Sequence, residues 1–155
     1  MRIHEYESII DPKTGRAFPS LIRSKNYPEF SGKLDNPIKV TDFMKAAYKM
    51  EQLAEEHIYV LAIRGGKVVG IYLLSRGSLN TSYIPYPELF YKVLHLGCRD
   101  FILCHNHPSG DVTPSRQDIE ATERIEGACK ILDMSLKDHI IIGREGYWSY
   151  YESKN

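Results

Sequence analysis

The segment HIYVLAIRGGKVVGIYLLS, residues 57–75, constrains the fold more than any other part of the chain. HIYVLAI reads as a buried strand, RGGK as the tight turn of a hairpin and VVGIYLLS as the returning strand. Helical patterns flank it. In TDFMKAAYKMEQLAEE, Phe43, Ala47, Met50 and Leu53 recur at helical spacing, and Thr41 is the expected N-cap. PELFYKVLHLG reads as a second helix, with Pro87 at its first position and Gly97 closing it. DFILC is a short buried strand. A long helix follows from Ser115, SRQDIEATERIEGACKILD, with Ile119, Ile125, Ala128 and Leu132 as its expected inner face. SLKDHIIIG and GYWSYYE are expected as two closing strands joined at Gly143–Gly146. The order α-β-β-α-β-α-β-β implies an α/β fold, a mixed β-sheet with helices packed on it.

Residues 1–37 differ from the rest. Pro12, Pro19, Pro28 and Pro37 punctuate them, and DPKTG has turn chemistry between two short strand candidates, IHEYESII and FPSLIRS. The expectation is an amino-terminal arm or hairpin over 1–37, leaning on a domain of residues 38–155.

A length of 155 residues suits one domain with a real core. Lys+Arg and Asp+Glu are 20 each, so net charge is zero and gives no support to nucleic-acid binding. Cys98, Cys104 and Cys129 are odd in number and widely spaced, which argues against a disulfide framework and for a reducing compartment. Glu5 and Glu7 interrupt the amino terminus where a signal peptide needs an apolar core, and no apolar run approaches membrane-span length. The expected location is cytoplasmic, without a membrane partner.

The chemistry concentrates in HNHPSGDVTPSRQD, residues 105–118. His105 and His107 continue a strand, so both imidazoles face one side. Pro108 then ends the strand. Asp118 opens the next helix, and the intervening loop can return its carboxylate to the imidazoles. Two His and one Asp with an open fourth position is the pattern of catalytic zinc. Zinc would lower the pKa of a bound water towards ~7. Such a site also wants a carboxylate as base and an oxyanion donor, and Ser115 is a candidate donor. Ser115-x-x-Asp118 is equally a weakened capping box, with Asp in place of Glu or Gln. Spacing alone does not choose between metal loop and capped polar turn, and the two roles are compatible. His4, His95 and His139 each stand alone and read as structural, with Asp138–His139 a candidate supporting pair for the site. Cys104 alternates away from His105 into the core, and GYWSYYE reads as edge-strand packing. The signatures of zinc deaminases and helical zincins are absent.

These residues carry a resemblance. HNHPSGDVTPSRQD resembles the motif of RadC-like proteins in the JAB/MPN, or JAMM, metallopeptidase superfamily: His-x-His-Pro, a short spacer, then Ser-x-x-Asp. DHIIIG at 138–143 and SRGSLN at 75–80 are similar to further stretches of that branch, and the likeness covers about residues 40–150. It implies a deaminase-like α/β sandwich. It implies zinc held by His105, His107 and Asp118, with Ser115 stabilising the oxyanion. It implies a catalytic Glu before the first domain strand, which Glu56 resembles, with Glu55 the adjacent alternative. The branch often has Pro-Arg-Glu where Tyr86-Pro87-Glu88 stands here. Full-length RadC proteins also carry a helix-hairpin-helix-type region that is not read in this chain, which weakens a link to DNA. The expected activity is zinc-dependent hydrolysis of a peptide or isopeptide bond in a peptide or protein substrate. The rivals are a DNA-repair-associated protein and a non-catalytic MPN scaffold.

Overall fold

A computed structural model describes residues 1–30, 33–77 and 83–155. Among these residues seven strands form one mixed sheet: β1 Arg2–Ile10, β2 Ala17–Asn26, β3 His57–Arg64, β4 Lys67–Arg76, β5 Asp100–Asn106, β6 Ser135–Ile142 and β7 Tyr147–Ser149. Their order is β2-β1-β4-β3-β5-β6-β7, with β1–β4 and β5–β6 parallel and the other pairs antiparallel. The helices are α1 Pro37–Tyr48, α2 Tyr86–His95, α3 Arg116–Leu132 and a short α4 Tyr150–Ser153.

Strict alternation on the central strands splits the core in two. On β3, Tyr59, Leu61 and Ile63 join Phe43 and Met44 of α1 in one cluster. Ile58, Val60 and Ala62 join Leu89 and Val93 of α2 and Ile125 and Cys129 of α3 in the other. The sheet is therefore covered on both faces, which is why β3 reads as an unbroken apolar run rather than an alternating one. β5 follows the same rule: Ile102 and Cys104 face α1, whereas Phe101 and Leu103 face α2 and α3. His105 continues the latter parity, so the sheet aims it at α3. Gly65 and Gly66, at φ 59° and 73°, form the two-residue turn between β3 and β4 that RGGK predicts.

Residues 1–37 do contain a hairpin, and β1 bridges to β4 at Glu5↔Ile71, so the hairpin forms one edge of the sheet. Some sequence expectations need correction. Thr41 is buried inside α1; the N-cap is Asn36, whose side chain accepts from Lys39 N at 2.9 Å, with Pro37 beginning the helix. α1 also stops at Tyr48, where Lys49 turns left-handed at φ 54°, instead of running to Glu56. A 3-10 turn, Met50–Gln52, then releases the chain towards β3. On α3 the buried stripe is Thr122, Ile125 and Cys129, whereas Leu132 is 45% exposed. Thr122, not among the expected inner residues, brings its hydroxyl to His139 of β6. The closing segment GYWSYYE is a strand only to Ser149 and then a turn of helix capped by Ser149. Of SRGSLN, Ser78, Leu79 and Asn80 lie outside the described residues. Among the described residues no helix is long and apolar enough to cross a membrane.

Candidate metal centre

His105 is the penultimate residue of β5 and is buried to 1% exposure. His107 follows at the strand exit, where its backbone N–H donates to Ile142 O at 3.1 Å. The loop after it packs against the β6 end. A Cβ on Gly143 would meet Gly110 O at 2.4 Å, so only glycine permits this approach. Asp118 stands in the first turn of α3. Its carboxylate accepts from Ser115 N at 2.7 Å while the Ser115 hydroxyl accepts from Asp118 N at 3.1 Å, a complete capping box. Cap and cluster are thus built from the same residues. One ligand atom each of His105, His107 and Asp118 lies within 4.8 Å of the others.

Donor counting fixes the imidazole tautomers. Thr122 Oγ1 lies 2.6 Å from Asp118 O, a carbonyl that only accepts, so the hydroxyl proton goes there. The Thr122 oxygen therefore accepts from His139 Nδ1 at 2.7 Å. His139 Nε2 then accepts from His105 Nδ1 at 2.8 Å. Burial, with His139 and His107 beside it, drives the His105 pKa well below 6.5, and the ring is neutral. Its remaining Nε2 carries a bare lone pair facing the cluster. His107 Nδ1 donates to Asp111 O at 2.7 Å, which points its own Nε2 at the same spot.

The two Nε2 atoms are 3.1 Å apart. Asp118 Oδ1 is 3.3 Å from His105 Nε2 and Asp118 Oδ2 is 3.5 Å from His107 Nε2. Lone pairs and a carboxylate converging this closely repel one another unless a cation lies among them. The hydrogen bond with Asp118, against burial, raises the His107 pKa above 6.5. Burial would raise Asp118, but hydrogen bonds from His107 and from the Ser115 hydroxyl and backbone outweigh it and hold the carboxylate below its usual range. One nitrogen from each imidazole and one carboxylate oxygen thus lie close enough to share a single ion, and zinc takes such N and O donors at about 2.0–2.2 Å. The donor set therefore fits a divalent metal.

Of the two adjacent glutamates, Glu56 is brought to the cluster. It is 8% exposed, lines the cavity, and its Oε1 is 3.9 Å from His105 Nε2. Glu55 turns outward to pair with Arg76. Ser115 also lines the cavity, its hydroxyl donating to Asp118 Oδ2 at 2.6 Å.

Sequence reasoning undervalued three residues. His139 is not a lone core histidine but the acceptor behind His105. Asp138, expected with it, points to the other face and accepts from Ser149 Oγ, Tyr151 N and His139 N. Thr122 closes the chain of hydrogen bonds. Asn106, buried between the two site histidines, accepts from His57 N at 2.8 Å and donates to Glu55 O at 3.1 Å and Leu53 O at 3.4 Å. It clamps the segment that carries Glu56. The available signal was a polar residue on a buried strand, which demands partners.

Fold and cluster together define the class: an α/β domain with helices on both sheet faces and a His-His-Asp centre suited to a metal. The RadC-like JAB domain profile matches residues 34–155, and the chain belongs to that family. It is 39% identical over 124 residues to a UPF0758 protein of Staphylococcus haemolyticus, covering 77% of this chain and 52% of the relative. A UPF0758 protein of Clostridium beijerinckii is 37% identical over 152 residues, covering 94% and 66%. One of Caldanaerobacter subterraneus is 43% identical over 96 residues, covering 61% and 41%. The chain thus spans 41% to 66% of the length of these relatives.

Proposed function

We propose that this protein is a zinc-dependent hydrolase of peptide or isopeptide bonds, with His105, His107 and Asp118 as ligands. The observation that carries the reading is the pair of Nε2 atoms 3.1 Å apart beside the Asp118 carboxylate, with a second, mostly buried carboxylate, Glu56, next to them. Bound zinc supplies Lewis acidity to the scissile carbonyl and makes a water acidic. The chain's own residues do the rest. Glu56 takes the proton of the attacking water and returns it to the leaving amine. Ser115 donates to the developing oxyanion once its hydroxyl leaves Asp118 Oδ2. Asn106 keeps Glu56 in place, and the His139–Thr122 chain keeps the His105 proton on Nδ1.

Metal analysis of protein purified without chelators tests the ligands, and cleavage of a peptide library tests the base. The expected result is zinc in the wild type and in Glu56→Gln, little in His107→Ala, and hydrolysis lost in Glu56→Gln but kept in Glu55→Gln. No zinc in the wild type, or full zinc in His107→Ala, sinks the assignment.

A further inference from the structure

The cavity at the cluster extends beyond it, to about 620 Å³. One wall is a stripe of α3, Gln117, Glu120, Ala121 and Arg124, spaced i, i+3, i+4 and i+7. Arg124 is the one guanidinium among the described lining residues. Its neighbour is a ring and not an acid: the Arg124 Cζ lies 4.8 Å from the centroid of Tyr86, which also lines the cavity. Glu120, one turn earlier on α3 and the natural helical partner, is already committed to Arg116 at 2.6 Å. Among the described residues no carboxylate pairs with Arg124. A guanidinium over an aromatic ring is held in position while its N–H edge remains open to a planar anion.

Arg124 lies six residues beyond Asp118, about 9 Å along the helix axis. An extended peptide covers that distance in two to three residues at roughly 3.3–3.6 Å each. We propose that Arg124, seated on Tyr86, binds a carboxylate of the substrate two or three residues from the bond that is cut. The inference rests on the hydrolase reading of this cavity and names a substrate class for it: peptides with an anionic group on one side of the scissile bond. The anion is either the C-terminal carboxylate or an acidic side chain, and both present the same planar, bidentate chemistry.

The test uses three N-acetylated tetraglycine probes. One has a free C-terminus, one is amidated, and one is amidated with a glutamate at its third position. Each is titrated into the full chain, with zinc and after chelation, while the Arg124 Nε–H signal is followed by NMR. The expected result is that at least one charged probe moves that signal and binds about tenfold or more tighter than the neutral amide, the scale of a charge-assisted hydrogen bond. Which charged probe binds identifies the source of the anion. Arg124→Gln should bring the charged probes to the level of the amide, and Tyr86→Leu should weaken them in part. Equal affinity for all three probes, no binding at millimolar concentration, or an unchanged preference in Arg124→Gln overturns the proposal. Because the comparison is repeated on chelated protein, a wild type that binds no zinc counts against the hydrolase reading alone.

Discussion

His105 Nδ1 lies 2.8 Å from His139 Nε2, and this contact decides which nitrogen of His105 is free for a metal. The dependence runs through three buried groups to a backbone carbonyl, since Thr122 must give its only proton to Asp118 O. Replacing the acceptor by an apolar ring of similar size should therefore weaken zinc binding without touching a ligand. His139→Phe is expected to lower zinc affinity about 10- to 100-fold, the usual effect of losing a residue that orients a metal ligand. Thr122→Val should produce a smaller loss in the same direction. Chelator competition measures both, and long-range 15N correlation spectra report the His105 tautomer directly. Unchanged affinity in His139→Phe would remove the orienting role.

How much of this was legible depended on the range of the interaction. The His-x-His spacing and the Ser-x-x-Asp turn are local, so strand parity put both imidazoles on one side and cap chemistry put Ser115 and Asp118 at a helix start, while the family resemblance joined the two. The hairpin of β3 and β4 is local too, and Gly65–Gly66 announced it. The His139 contact joins residues 34 apart across parallel strands. Only the pairing of Leu103 with His139 creates it, and parallel register leaves no mark in either segment. The choice of Glu56 over Glu55 has the same origin: strand parity needs a register, and Asn106 sets it from another strand. The start of α1 was missed for a different reason. Asn36-Pro37 is a strong N-terminal signal, but it fell among prolines that read as a loop.

Acid should destabilise the metal-free protein in a defined window. Burial lowers the His139 pKa from 6.5 to about 4, so the unfolded chain takes up a proton that the folded one refuses. Its contribution is present above pH 6.5 and is lost as pH falls through about 4. At ~1.36 kcal/mol per unit this is about 3 kcal/mol for a fully buried group. His107, raised by Asp118, runs the other way: its contribution is present below pH 6.5 and fades as pH rises above it. Urea midpoints of chelated protein between pH 7 and 4 should fall steeply, and more gently in His139→Phe. Equal slopes would show that His139 is not the group being titrated.

Asn106 supplies a separate prediction. Its amide satisfies His57 N, Glu55 O and Leu53 O across the approach to β3. Asn106→Leu leaves those backbone groups without their partner inside the fold, at about 1–3 kcal/mol each where no water replaces it. Thermal unfolding should therefore fall markedly. Because His105 and His107 face the other side of the chain, zinc content should hold while peptide hydrolysis falls with the displacement of Glu56. Loss of zinc together with activity would instead mean that Asn106 shapes the ligand strand.

Gly143 offers the most local test of how the metal loop is seated. A methyl there meets Gly110 O at 2.4 Å and Val112 Cγ1 at 2.7 Å. The first is a backbone atom, so no rotamer change relieves the clash. The loop from Pro108 to Val112 must move, and with it Asp111 O, which holds His107 Nδ1 at 2.7 Å. Gly143→Ala should therefore weaken zinc binding through His107 while leaving the His105 tautomer signal intact. Gly146→Ala is the control: nothing lies within 4 Å of its added methyl, and affinity should stay near wild type. If both alanine variants bind zinc equally well, the loop does not depend on this contact for its place.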